Sequence, residues 1–455
     1  MTATRHVRQH SPERKLYRDA SFLAASSMLT ALLGMLFWAV IARELPPARL
    51  GVQSALLALM TAPAIAIAAG VGDAFTALVP PARRDRAEIV RRGYRIAVGL
   101  SVAVGVIAGI VAMTTLPEVH LSIEAGLLVL VGTSIWTLFT VQDPALTSMG
   151  RASWLPIENG TVSTVKIGLV VLLAGLGWSY PIIIATILPA LGAVAVLYPR
   201  VRRMAAGTFP ASTAKETTAA ALAPLVRRTT PAVALTIGTV TLLPFAVTAL
   251  SGPVQGATFA LSLAIAQSLD FLSAALGVSL VVHASARPHD AGPIAASVLR
   301  RTLGIVVVGA AVIIAMSPFV LSLLNKQYLH LHGVAIIATL CTGSVLRVTY
   351  VVWGALQRSR RNMRPLLIAN GVASAALYLS LPFVCHHWNA MGAAVAVAVM
   401  QAGLSTFAVS HVLVRRLRAK RLRAKRLLTR AELAAAEPED TEAEREELVN
   451  DLASQ

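Results

Sequence analysis

Charge is what this chain has least of. Only 14% of its 455 residues are Asp, Glu, Lys or Arg, against about 25% in an ordinary soluble domain. Cysteine is almost absent: Cys341 and Cys385 fall in or beside apolar runs, without metal-ligand spacing, and read as small core residues. The signatures of soluble chemistry are missing too. There is no G-x-x-x-x-G-K-[ST], H-E-x-x-H, G-x-S-x-G or EF-hand loop, so neither a cofactor nor a metal is expected. The net charge of +18 comes without a zinc-finger, RNP or helix-turn-helix pattern, which argues against a nucleic-acid partner.

What the chain has is apolar length. Hydrophobic residues make up 56% and the mean hydropathy is +0.69. Two runs, Ser21–Ala42 and Val52–Val79, each exceed the roughly 20 residues needed to cross a bilayer core. Pro46-Pro47 stops the first and forces a tight reversal, so the pair reads as a transmembrane hairpin. The first run follows a basic segment and has no small-residue cleavage site, which marks it as a retained span rather than a leader.

Twelve spans are expected: Ser21–Ala42, Val52–Val79, Gly93–Thr115, Ile123–Leu146, Ile157–Gly177, Tyr180–Tyr198, Thr229–Leu250, Gly256–Val282, Thr302–Leu324, Gly333–Leu356, Pro365–Val384 and Ala390–Val414. The basic residues test the count. With a cytoplasmic N-terminus, 35 of the 40 lysines and arginines fall in cytoplasmic segments, counting Arg95 with the loop it adjoins. Arg43, Arg49 and Lys326 fall outside, and Lys166 and Arg347 inside spans. That asymmetry predicts twelve spans with both termini cytoplasmic.

A weak repeat divides the chain. At an offset of 205 residues Gly51 meets Gly256, Leu56 meets Leu261 and Gly72 meets Gly277. The expected organisation is a basic N-terminus at 1–20, an N-lobe of six spans at 21–198, a cytoplasmic linker at 199–228, a C-lobe of six spans at 229–414 and a tail at 415–455. The tail opens with the tandem Arg416-Leu417-Arg418-Ala419-Lys420 and Arg421-Leu422-Arg423-Ala424-Lys425, then turns acidic after Arg430. Its basic part is expected to lie along anionic lipid at the membrane surface, and its acidic part to be solvated.

Charges at membrane depth are the informative residues, because each costs about 2.5–3.5 kcal/mol unless it faces a cavity or a partner. Lys166 stands roughly 13 Å into the fifth span at 1.5 Å per residue, Arg347 near the middle of the tenth and Asp270 central in the eighth. Lys166 and Arg347 read either as the cationic wall of a cavity for an anionic substrate, or as snorkelling groups or a buried pair with Asp270. Asp270 reads as a coupling-ion site, for a proton or Na+, or as a structural counter-charge. Asp73 and Asp143, nearer the cytoplasmic ends of the second and fourth spans, read as gate or helix-end residues. Asn159, Gln267, Asn370 and Gln401 add hydrogen-bonding groups that join helices or meet sugar hydroxyls. Gly70-Val71-Gly72, and the Ser101, Gly105, Gly109 stripe, read as helix-packing faces.

Ala42-Arg43-x-Leu45-Pro46 followed by Gly51, then Gly70-x-Gly72 about twenty residues on, resembles the polysaccharide and oligosaccharide-lipid flippases (Wzx-like) of the MATE-like MOP superfamily. The likeness covers roughly 21–414. It implies an all-α fold of two six-helix lobes around a cavity and alternating access. It also implies outward movement of a polyprenyl-diphosphate-linked saccharide for cell-envelope synthesis, and, as partners, the glycosyltransferases or polymerase of that pathway. Lys166 and Arg347 match the role of that family's cavity cations but no motif position, and the tail lies outside the pattern. The main rival is a MATE-type ion-coupled exporter of drugs or small solutes, for which an acidic cavity is expected. A major-facilitator permease is disfavoured because the loop Pro80-Pro81-Ala82-Arg83-Arg84-Asp85-Arg86 lacks the glycines of that class. The short outer loops disfavour a membrane-embedded enzyme. A non-transporting scaffold with a working tail is the remaining alternative.

Overall fold

The computed structural model describes residues 29–82, 84–207, 218–286, 291–359 and 362–436. Among them there is no strand. The N-terminal basic segment, the start of the first span, the middle of the linker and the acidic end of the tail lie outside the described residues.

The helices follow the expected spans in order. We number them α1 (29–44), α2 (Pro47–Leu78), α3 (Arg86–Thr115), α4 (Ile123–Ser148), α5 (Leu155–Gly175) and α6 (Pro181–Ala206). The broken α7 begins as Leu222–Val233, and α8 is Pro253–Ala286, α9 Ala291–Leu324 and α10 Gly333–Ser359. The helical run Arg364–Ala436 contains one non-helical residue, Asn389; α11 precedes it and α12 follows. Among the described residues eight helices are long and apolar enough to cross a membrane, nine if the bent α7 is one span. That tally takes the run divided at Asn389 as one and leaves out α1 and α8, so it is consistent with twelve. Side chains such as Ile107, Ile110, Val308, Phe319 and Leu379 stand exposed along the helices, as a lipid-facing surface requires and a soluble one rarely tolerates.

Local chemistry sets the helix ends. Pro46 and Pro47 start α2, where a missing backbone N–H costs nothing. The Ser122 hydroxyl accepts from the Ala125 N–H and caps α4. Gln53 of α2 accepts from the Ile182 N–H, which satisfies an orphan donor at the start of α6. At the other end of α2, Arg86 donates to the Val79 and Pro80 carbonyls.

Helix α2 is the hub. It packs against α3, α4 and α6, and also against α7 and α8 from the second half of the chain. Small residues permit this. A Cβ on Gly51 would stand 1.8 Å from the Pro253 carbonyl oxygen, and one on Gly70 would meet the Thr230 hydroxyl at 2.0 Å. Gly70-Val71-Gly72 is therefore a packing element, with Gly72 against Pro144. The Ser101, Gly105, Gly109 stripe of α3 likewise takes α4, Gly109 lying on the Gly126 backbone.

One departure from a regular bundle stands out. Helix α7 passes through a π-helical stretch at Ala234–Gly238, then Thr239–Thr241, and resumes as Leu243–Ser251 with a 49° bend. Hydroxyls cover the disturbed backbone. Tyr378 donates to the Thr239 carbonyl at 2.7 Å, Ser374 donates to the Leu235 carbonyl at 3.0 Å, and the Thr239 and Ser374 hydroxyls meet at 2.8 Å. The chain divides into two compact units, one through Leu404 and one from Ser405 onward. The second is helical through Ala436.

A candidate transport cavity

A cavity of about 670 Å³ opens among α1, α2, α4, α5 and α8. Its walls are mixed. Ala31, Gly34, Met35 and Trp38 come from α1, Pro144 from α4 and Leu155 from α5. The polar lining comes from Thr30, Thr76, Asp143, Thr147, Asn159, Gln267 and Ser268. Helices of both sequence halves thus meet around one space, and the volume is in the ordinary range for small-molecule sites, about 300–1,000 Å³.

Three of the residues singled out in the sequence converge here. Asp143 and Asn159 face each other across α4 and α5, the Asn159 amide donating to both carboxylate oxygens at 3.4 Å. Gln267 joins them from α8. Among the described lining residues Asp143 is the one charged side chain.

The cations lie elsewhere. Lys166 is seven residues beyond Asn159 on α5, hence on the same face of the helix two turns along, roughly 10 Å away. Its ammonium sits 3.9 Å from the centre of the Phe37 ring and 5.8 Å from that of Trp136, a cation–π cradle. No carboxylate among the described residues lies within ion-pair distance of it. Arg347 does have a partner: its guanidinium donates to Asp270 at 2.8 Å, joining α10 to α8. Asp270 Oδ1 is buried and has no hydrogen-bond partner among the described residues. The two residues thus form an ion pair.

The remaining residues scatter. Asp73 is exposed on α2, apart from the cavity. Asn370 donates to the Tyr350 hydroxyl at 2.6 Å and to the Leu366 carbonyl, tying α11 to α10. Gln401 is buried, with its Oε1 unpartnered among the described residues.

The sequence reading passed over Glu158. It lies at the start of α5, where it looks like a helix-end carboxylate, yet it is 7% exposed and neither oxygen has a hydrogen-bond partner among the described residues. Asp143 and Tyr94 are its titratable neighbours, and the Tyr94 hydroxyl is also buried and unpartnered. The available signal was spacing: Thr161, Val162 and Val165 continue the Glu158 face of the helix with no positive charge.

No protein-family model matches the chain, and no curated protein matches it in sequence. Its fold does have solved counterparts. An inward-facing multidrug resistance MATE transporter of the MOP superfamily aligns over 87% of this chain and 96% of its own, with a TM-score of 0.63 and 17% identity. The lipid II flippase MurJ, in an inward closed conformation, aligns over 85% and 86%, with a TM-score of 0.61 and 13% identity. A MOP superfamily transporter from Pyrococcus furiosus, described as having a binding pocket of reversed polarity, aligns over 89% and 96% with a TM-score of 0.57 and 15% identity. The chain therefore has the all-α fold seen in MOP superfamily transporters.

Proposed function

We propose that this protein flips a lipid-linked, diphosphate-bearing saccharide outward across a bacterial inner membrane, by alternating access of two six-helix lobes, 21–198 and 229–414, about the central cavity. The observation that carries the reading is Lys166, a cation at membrane depth two turns along α5 from Asn159 of the cavity wall, held by aromatic rings and not neutralised by any described carboxylate. A diphosphate crossing an apolar core needs its charge offset along the way. Asn159 and Gln267 supply groups for sugar hydroxyls. Arg347 is the second cation, held by Asp270 until a proton or a phosphate parts the pair. A proton arriving on Asp270 would release the guanidinium for phosphate, so the two ligands would favour each other's binding. The sequence carries no phosphate-binding loop, which leaves an ion gradient, the membrane potential or consumption of the product as the drive.

A second reading has its own observation. Asp143 in the wall of a drug-sized cavity suits ion-coupled export of a small organic cation. Deletion separates the two. Under the first reading, surface glycan falls and lipid-linked precursor builds up in the inner leaflet. Normal glycan without build-up, in a strain with no other flippase, moves the assignment to small-solute export.

The basic loops orient the protein with both termini in the cytoplasm. A cysteine at exposed Ala48 should then react with an impermeant thiol reagent in intact cells and one at Arg92 should not; the reverse pattern contradicts this orientation. The native Cys341 and Cys385 are buried and leave the background low.

A further inference from the structure

A second cavity, a groove of about 540 Å³, lies between α5 and α6 and shares no lining residue with the first. Its rim is exposed and apolar: Ile157 is 72% and Val196 53% exposed. One end carries Trp154 and Arg200, with the guanidinium 6.0 Å from the ring centre. Glu158 lines the groove one helical turn further in, roughly 6 Å along α5. Beyond it come Thr161, Val162 and Val165, so about 10 Å of the groove past Glu158 is apolar on the α5 side but for one hydroxyl.

The order of chemistry along the groove is therefore a cation beside an interfacial tryptophan, then a buried carboxyl, then hydrocarbon. A buried carboxylate with no donor and no counter-charge is too costly to keep ionised. Neither Asp143 nor Tyr94, its titratable neighbours, supplies a positive charge. A carboxyl that holds its own proton is a hydrogen-bond donor looking for an acceptor. A glycerophospholipid presents the complementary series in the same order of depth. Its phosphate lies at the level where tryptophan and arginine settle, its ester carbonyls come just below, and its acyl chains follow.

We propose that the α5–α6 groove is a binding site for an anionic glycerophospholipid of the leaflet at the Arg200 end: the phosphate on Arg200, an ester carbonyl accepting from Glu158, and one acyl chain along the groove. The site shares no lining residue with the transport cavity, and the proposal does not rest on what that cavity carries. It places a lipid against α5, the helix that holds Asn159 and Lys166 on its other side.

The test uses the purified full-length protein, stripped of lipid in detergent and then given dioleoyl phosphatidylglycerol or dioleoyl phosphatidylcholine, with retained lipid counted by native mass spectrometry. The basic residues of the tail also attract anionic lipid, so the readout is the difference between wild type and groove variants. Gly192 lies in the groove, and a Cβ there meets nothing within 4 Å, so Gly192→Phe is the variant chosen to fill the site. We expect it to remove one tightly retained phosphatidylglycerol per protein. Arg200→Ala should lower retention at least fivefold, to the phosphatidylcholine level. Glu158→Gln, still a donor, should keep the lipid, and Glu158→Leu should lose it. Should Gly192→Phe not remain monodisperse, Val196→Trp on the rim blocks the same space. Equal phosphatidylglycerol retention by wild type and a folded groove-filling variant overturns the site, and equal retention by Arg200→Ala overturns the headgroup assignment.

Discussion

The two halves of the chain treat a carboxylate within a helix bundle in opposite ways. In the second half Asp270 is answered at 2.8 Å by Arg347, and the Tyr350 hydroxyl, one turn from Arg347, is answered by Asn370. In the first half Asp143 receives only long contacts from the Asn159 amide, while Glu158 and Tyr94 receive nothing from the described residues. A paired charge brings its own compensation. An unpaired one must take it from a proton, an ion, a lipid or a substrate. Under the proposed function the first half would be where ligands enter the electrostatics, and the second where a bond must break before they do.

Removing one partner should hurt the second half most. Arg347→Ala strands Asp270 and should cost about 2 kcal/mol of stability, between the roughly 0–1 of an exposed pair and the 3–5 of a fully buried one. The double variant Asp270→Ala, Arg347→Ala should recover most of that loss while remaining impaired in transport. Thermal unfolding in detergent, run as a double-mutant cycle, checks the coupling. Additive losses would mean the pair contributes nothing.

The seam between the halves comes next. Gly51→Ala places a methyl group against the Pro253 backbone and should cost about 1–3 kcal/mol as overpacking, read as a lowered melting temperature. Gly192→Ala, inside a helix and in open space, should leave that temperature unchanged or raise it. If the two behave alike, α2 and α8 are not in the close contact described.

The smallest effect belongs to the first half. Asp143→Asn removes a charge whose one protein contact is long, so stability should change by less than about 0.5 kcal/mol, as for substitutions that break no network. Transport should respond more than stability does. An Asp143→Asn protein that unfolds readily would show that this carboxylate has a counter-charge after all.

Much of this was readable in the sequence, and the reasons are specific. Apolar length and the basic loops located the spans, because the bilayer imposes both. Gly70-x-Gly72 read correctly as packing, because glycine inside an apolar helix has few other uses. Asp270 and Arg347 were recognisable as charges needing partners, but their pairing depends on the register of α8 against α10, which composition does not encode. The bend in α7 was missed: Pro231, Gly238 and Pro244 are there to be seen, yet membrane helices often carry such residues without breaking. The turn at Asn389 was legible, since the expected spans end at Val384 and resume at Ala390, although the chain turns there at a single non-helical residue. Glu158 went unnoticed because depth was judged by position along a span, while its burial comes from the helix face it occupies.

The central claim is that Lys166 carries the anionic head of a lipid-linked saccharide through the cavity. The direct measurement is flipping in proteoliposomes, using a short-chain polyprenyl-diphosphate saccharide with a quenchable label and following the fraction protected from an impermeant quencher under an imposed proton gradient. Wild type should speed equilibration across the bilayer, and Lys166→Gln should lower the rate at least tenfold at unchanged melting temperature, with Lys166→Arg retaining part of it. Equal rates for wild type and Lys166→Gln, or no flipping by the folded wild-type protein, would contradict the claim.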